Sequence, residues 1–288
     1  MKENNKRLIG QIASLSAKGK LGDAAQLASQ DYSTFQESIP RLVKYILEFY
    51  SDVATDNQQI AQVRDNFCQC LIVIYREVKK QNLQIARAFV NSFIEDYPGV
   101  ENSALLQRWT ALCQAALAYK EGIKSQNEMF VWQQSSRLIL AYNEFLNGLL
   151  GYLIIAWRCV EGKRINTNVF GNAYGDKVNQ FADLTNGENG AFYLIHRLAK
   201  PKLRNAIAHE MAWLDIDSSK VRYINGRVQK IEYEMDVTEF FSYAMLGSHF
   251  GSAYLAALAT IVVMEDGGAE AKGIIPPHLI RVFKHVVS

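Results

Sequence analysis

Between Glu144 and Arg158 the chain runs for thirteen residues, 145–157, without a charge. A stretch this apolar cannot form a solvated surface, so it must lie in a protein core or in lipid. Thirteen residues fall short of the roughly twenty that a helix needs to cross the hydrocarbon, and Asn147 interrupts the run. The segment is therefore expected to be a helix buried on most of its sides, central to a helical fold or to a dimer interface. Of 288 residues, 49% are hydrophobic, enough to bury one large domain or two ordinary ones.

The pattern around that segment is helical. Successive amphipathic helices are expected over 7–18, 23–30, 39–52, 58–80, 83–97 and 103–119. Phe67, Leu71, Ile74, Tyr75 and Val78 recur at three- and four-residue spacing, which marks one buried face. Pro98-Gly99 supplies a turn. The first 120 residues carry no strand pattern and no fixed-period repeat, so they read as an irregular array: a scaffold, a partner-binding surface or a regulator. The polar run 121–127 separates two apolar patterns and is taken as a junction that few buried contacts cross, giving domains 1–122 and 123–288. After it come a long helix to about Val160, a polar Gly/Asn-rich connection and one or two helices over 176–199. A helix from Pro201 to about Trp213 follows, then a β-hairpin turning at Asn225-Gly226 in a type I′ turn, with a bulge or shifted register allowed by Val228 and Ile231. A helix over 237–264 and a short one after Pro276-Pro277 end the chain. The expected class is all-α: a helical array followed by a helical bundle with a small β-hairpin.

Chemistry concentrates in residues 200–210. Pro201 suits a first helical position, so Arg204 falls near the positive end of a helix, where free N–H groups already favour an anion. Its guanidinium adds a planar, permanently charged donor fork. Asn205 and His209 follow, and a histidine can move a proton near neutral pH. The net charge of +2 gives no general affinity for polyanions, but no acidic residue occurs from Asn189 to His209, where Arg197, Lys200, Lys202 and Arg204 cluster. Arg204 and His209, five apart, diverge by about 140° on one helix and do not share a face. Spacing alone leaves open a surface cation and an ordinary helix histidine.

The segment Leu203-Arg204-Asn205-Ala206-Ile207-Ala208-His209 resembles the Arg-(four to six residues)-His motif of the HEPN superfamily, with the polar residue that often follows the arginine present as Asn205. The resemblance covers roughly Ser125 to the C-terminus. It implies a helical bundle, and in many members a metal-independent ribonuclease of toxin, phage-defence or CRISPR-associated systems whose two motif copies meet across a homodimer. Some members carry a tyrosine two residues after the histidine as a modification target; here Met211 stands there. The expectations that follow are Arg204, Asn205 and His209 as catalytic residues, with Lys200, Lys202 and Arg197 contacting RNA. Glu144, Asp176 and Glu210 are the acids that could orient His209. A HEPN-like module that binds RNA or a partner without cutting is the alternative. Expected partners are RNA, a second copy and a regulatory protein on the N-terminal helices.

Other chemistries have little support. There is no phosphate-binding Gly-x-x-x-x-Gly-Lys loop, and Gly247-Ser248-His249-Phe250-Gly251 has its serine at the wrong place for a hydrolase elbow. Asp215 and Asp217 read as a polar turn with Ser218 and Ser219, and His278 and His285 as surface or interface residues. Cys68, Cys70, Cys113 and Cys159 lack metal-ligand spacing and read as free thiols of a reducing compartment. No metal, no cofactor and no membrane span are expected, and the cytoplasm is the default location.

Overall fold

Asn127 starts the helix that organises this protein: its side-chain oxygen accepts the N–H of Phe130 at 3.0 Å, a helix N-cap. The computed structural model describes residues 38–55, 58–125, 127–226 and 230–284. Helices α1 (Ser38–Thr55), α2 (Gln58–Gln81), α3 (Leu83–Asn91) and α4 (Leu106–Lys124) come first, followed by the long α5 (Glu128–Val160). Next are a 3-10 turn (Thr167–Gly171), α6 (Tyr174–Thr185), α7 (Tyr193–Leu198) and the motif helix α8 (Pro201–Ala208). A sheet of β1 (Ala212–Asp215), β2 (Lys220–Asn225) and β3 (Ile231–Asp236) leads into α9 (Val237–Asp266), α10 (Ala269–Ile274) and α11 (Pro277–Lys284). The protein is mostly helical with one small antiparallel sheet, as expected; the helices anticipated over 7–18 and 23–30 lie outside the described residues.

The uncharged run lies in the C-terminal half of α5, buried from Phe145 through Ala156 except at Asn147. Helices α5 and α9 are each long and apolar enough to cross a membrane, yet 72% and 78% of their most apolar stretches are buried inside the fold. They are core helices. Phe250 and Tyr254 of α9 meet Phe145 of α5 edge-on, with ring centroids 5.8 and 5.0 Å apart. On its other sides α9 meets the N-terminal helices: Phe67 of α2 contacts Phe250 at 4.9 Å, and Phe93, after α3, contacts Tyr254 at 6.1 Å. Polar bonds follow the same paths. Trp109 Nε1–H donates to the Gly251 carbonyl (3.1 Å), Tyr45 O–H to that of Ser252 (3.0 Å) and Tyr152 O–H to Ser103 Oγ (3.2 Å).

The buried side chains on both sides of residues 121–127 form one continuous cluster. The expectation that few buried contacts cross this junction does not hold. The polar run takes in the last turn of α4 and the N-cap of α5, two helices that pack closely on each other. Its polarity reflects an exposed turn, which a helix-to-helix corner shares with a true linker.

Small residues let the long helices approach. A Cβ on Gly247 of α9 would collide with the ring of Tyr142 on α5, and one on Gly151 would lie 2.6 Å from the Phe170 ring. Gly247→Ala would gain about 1 kcal/mol of helix propensity but overpack the core by about 1–3 kcal/mol. A lower melting temperature, read by circular dichroism, is therefore expected.

Two local expectations need correction. Helix α8 stops at Ala208, not near Trp213, because the chain closes in a Schellman cap: Met211 N–H donates to Ala206 O (2.7 Å) and Glu210 N–H to Ile207 O (3.1 Å). Glu210 occupies the left-handed position, φ 57°, usually given to glycine. The chain then enters β1, a third strand where helix was expected. In addition, β2 and β3 pair Asn225 with Ile231 and Tyr223 with Tyr233, so Asn225 belongs to the strand ladder and not to a two-residue turn with Gly226; residues 227–229, with Val228, lie outside the described residues. The shifted register matches the break in alternation at Ile231.

The cysteines are free: Cys68 and Cys113 are buried, Cys70 and Cys159 partly so. Burial pushes the Cys68 thiol up to about 12. His278 of α11 bonds Asp65 of α2 at 3.3 Å and meets the Tyr50 ring edge-on, while His285 lies outside the described residues.

Candidate functional site

Two consecutive residues of α5 anchor the motif helix. Asn143, fully buried, accepts the Tyr174 hydroxyl (2.7 Å) and the Lys200 backbone N–H (3.0 Å) on its Oδ1, and donates its Nδ2–H to Ile139 O (2.8 Å). This ties the residue before Pro201, and hence the start of α8, to α5. Glu144 then holds Arg204: Oε1 accepts Nε–H at 2.6 Å and also Nη2–H. The remaining side of the guanidinium donates from Nη1 to Asn205 Oδ1 at 2.9 Å. A guanidinium only donates, so the Asn205 oxygen must face it, and the Nδ2 donor makes no hydrogen bond among the described residues. The side chains of Arg204 and Glu144 keep 24% and 35% of their surface exposed, leaving the pair open to an incoming anion.

Glu144 therefore orients Arg204, and none of the three expected acids makes a hydrogen bond or ion pair with the His209 ring. Asp176 is exposed in the first turn of α6 without a partner among the described residues, and Glu210 is exposed at the left-handed cap position. His209 is the C-cap of α8. Its backbone N–H donates to Asn205 O at 3.1 Å, while its exposed ring makes no hydrogen bond among the described residues. No hydrogen bond joins Arg204 to His209 within one chain.

The basic residues near the motif sit over tyrosine rings. Lys200 Nζ lies 4.4 Å from the Tyr243 centroid, Lys202 Nζ 4.6 Å from that of Tyr233, and Arg197 Cζ 5.7 Å from that of Tyr193. Lys202 and Arg197 are exposed; Lys200 is half-buried, and burial lowers its ammonium below the ordinary lysine range. Glu239 and Glu188, from sequence-distant and adjacent segments, partly oppose that shift. The basic run thus has in Glu239 an acidic neighbour in space that the chain order does not show.

Asp215 ends β1, and its carboxylate accepts the Ser218 N–H (3.3 Å) and Arg222 Nε–H (3.0 Å), holding the turn that contains Asp217, Ser218 and Ser219. Among the described residues no three His, Cys, Asp or Glu side chains come together in an arrangement that could hold a metal ion. Sequence reasoning missed Asn143, whose role depends on a partner 57 residues away, and Lys177, which is buried on α6. A lysine in an amphipathic helix ordinarily reads as solvated, and nothing local marks this one as different. Comparison with protein families, with curated proteins and with solved structures found no match, so the site is read from its own geometry.

Proposed function

We propose that this chain is a HEPN-type endoribonuclease that cuts RNA without a metal ion, at a site assembled by two copies, in the cytoplasm and as part of a toxin or phage-defence system. The observation that supports this reading is the contrast between the two motif side chains. Arg204 is held on both sides by Glu144 and Asn205, as a preorganised charge stabiliser requires. The His209 ring is exposed and unpartnered among the described residues, as a group that must reach a substrate proton requires. His209 would take the proton of the ribose 2′-OH or give one to the departing 5′-oxygen, with the partner copy's histidine in the other role. Arg204 would offset charge on the phosphoryl oxygens, and the free Asn205 amide would orient the phosphate. Lys200, Lys202 and Arg197 would hold flanking backbone phosphates. A regulatory protein would dock on the N-terminal helices.

One observation favours a second reading. Glu144 already neutralises Arg204, which suits a module that binds RNA or a partner without cutting it.

The nuclease reading calls for a dimer, because about 140° of helix separates Arg204 from His209. Sedimentation velocity at working concentration is expected to give a two-fold dimer. A monomer with full cleavage activity would exclude the composite site.

A further inference from the structure

On the α5 face one turn beyond Glu144 opens a cleft of 400 Å³ that holds two cations and has no role in the proposed cleavage. It is lined by Arg108 of α4, Asn147 and Gly148 of α5, Asn172 after the 3-10 turn, and Lys177 of α6, with Glu101 as its one carboxylate. We propose that this cleft binds the terminal phosphate of a small phosphorylated metabolite, held between Lys177 and Arg108.

The case begins with Lys177, which is only 4% exposed. Its ammonium donates to two neutral oxygens, the Asn147 carbonyl (3.2 Å) and Asn147 Oδ1 (3.0 Å), and no carboxylate forms an ion pair with it. A buried ammonium with neutral partners alone is an unfavourable arrangement, and one that a bound anion would relieve. Arg108 makes no ion pair or hydrogen bond among the described residues, although it lines the same cleft. It lies across Gly148: a Cβ there would meet Arg108 Cδ at 3.0 Å and Nη1 at 3.1 Å. The glycine thus leaves room for the guanidinium to lie on the same stretch of α5 that holds Lys177.

Two like charges in one cleft raise each other's cost. Burial first, and Arg108 second, lower the Lys177 ammonium to about 8, with Glu144 opposing them only in part. Glu144 is itself committed to Arg204, and Glu101 is exposed and pairs with neither cation. The missing component is a negative charge from outside the chain. The cleft falls within the usual range for small-molecule sites, about 300–1,000 Å³. A terminal phosphate presents three oxygens and up to two negative charges to the pair of cations, whereas a phosphodiester presents two oxygens and one charge. That favours a small molecule over the RNA backbone.

The test is calorimetric titration of the full chain with inorganic phosphate, against sodium chloride of matched ionic strength. Saturable one-site binding is expected, weakened at least about tenfold in both Lys177→Met and Arg108→Gln. Lys177→Met should also melt higher than wild type in phosphate-free buffer, since it removes a buried charge. If one variant fails to fold, the other carries the comparison, with Gly148→Ala as a third that displaces the guanidinium. The same weak heat from wild type and every folded variant would overturn the proposal. So would displacement of phosphate by a short RNA lacking terminal phosphates, which would assign the cleft to the RNA path.

Discussion

A fragment beginning at Ser125 is expected to be insoluble or unfolded when produced alone, although it contains the whole motif region. Helix α9 buries Phe250 and Tyr254 against Phe67 and Phe93, and Trp109 and Tyr45 bond the α9 backbone at Gly251 and Ser252. Removing residues 1–124 would expose that face of α9 along much of its length. Each large apolar side chain returned to water costs about 1.5–3 kcal/mol, so a few of them exhaust the roughly 5–15 kcal/mol by which a domain is stable. Size-exclusion chromatography and thermal melting of the fragment are the check. A soluble fragment with a cooperative melt near that of the full chain would mean that the shared core contributes far less than its burial implies.

Arg204→Ala and His209→Ala are expected to reduce RNA cleavage by about 10²–10⁴-fold each while barely changing the melting temperature. The two readouts separate because the side chains contribute little to the fold. His209 is exposed and makes no side-chain hydrogen bond among the described residues. The Arg204–Glu144 pair is partly exposed, and ion pairs of that kind contribute about 1 kcal/mol or less. Initial rates on a defined RNA, together with melting curves of the same preparations, check both halves. Loss of activity accompanied by a large drop in melting temperature would point to a structural role for the motif.

Much of the fold was legible because it rests on local signals. The uncharged stretch within α5 had to be buried, the Phe67-to-Val78 face was periodic, and Pro201 opened the motif helix where expected. What was misread depended on partners far along the chain. Glu210 takes a left-handed cap position that no glycine announces, so the end of α8 was placed too late and β1 was missed. Asn225-Gly226 suggested a tight turn, but the pairing of Tyr223 with Tyr233 sets a register that keeps Asn225 in the strand. The run 121–127 looked like a linker because polarity marks exposure and does not report which helices meet behind it.

The candidate site divides in the same way. Arg204, Asn205 and His209 could be named from a short motif, and Glu144 only as one of three acids that could orient His209. Which side chain Glu144 serves required the α5–α8 packing, since it lies 60 residues from Arg204. Lys177 and Arg108 are unremarkable in sequence and become a pair only across α4, α5 and α6.

The most direct measurement is the chemistry of the cut ends. In the proposed reaction the 2′-oxygen attacks phosphorus as its proton leaves, and the 5′-oxygen departs taking up a proton. The purified full chain, incubated with transfer RNA and messenger RNA in excess EDTA, should leave 2′,3′-cyclic phosphate and 5′-hydroxyl ends by mass spectrometry. His209→Ala should leave the RNA intact, and DNA should be spared because it lacks the 2′-OH. Cleavage that requires added magnesium, that yields 5′-phosphate ends, or that persists unchanged in His209→Ala would contradict the assignment.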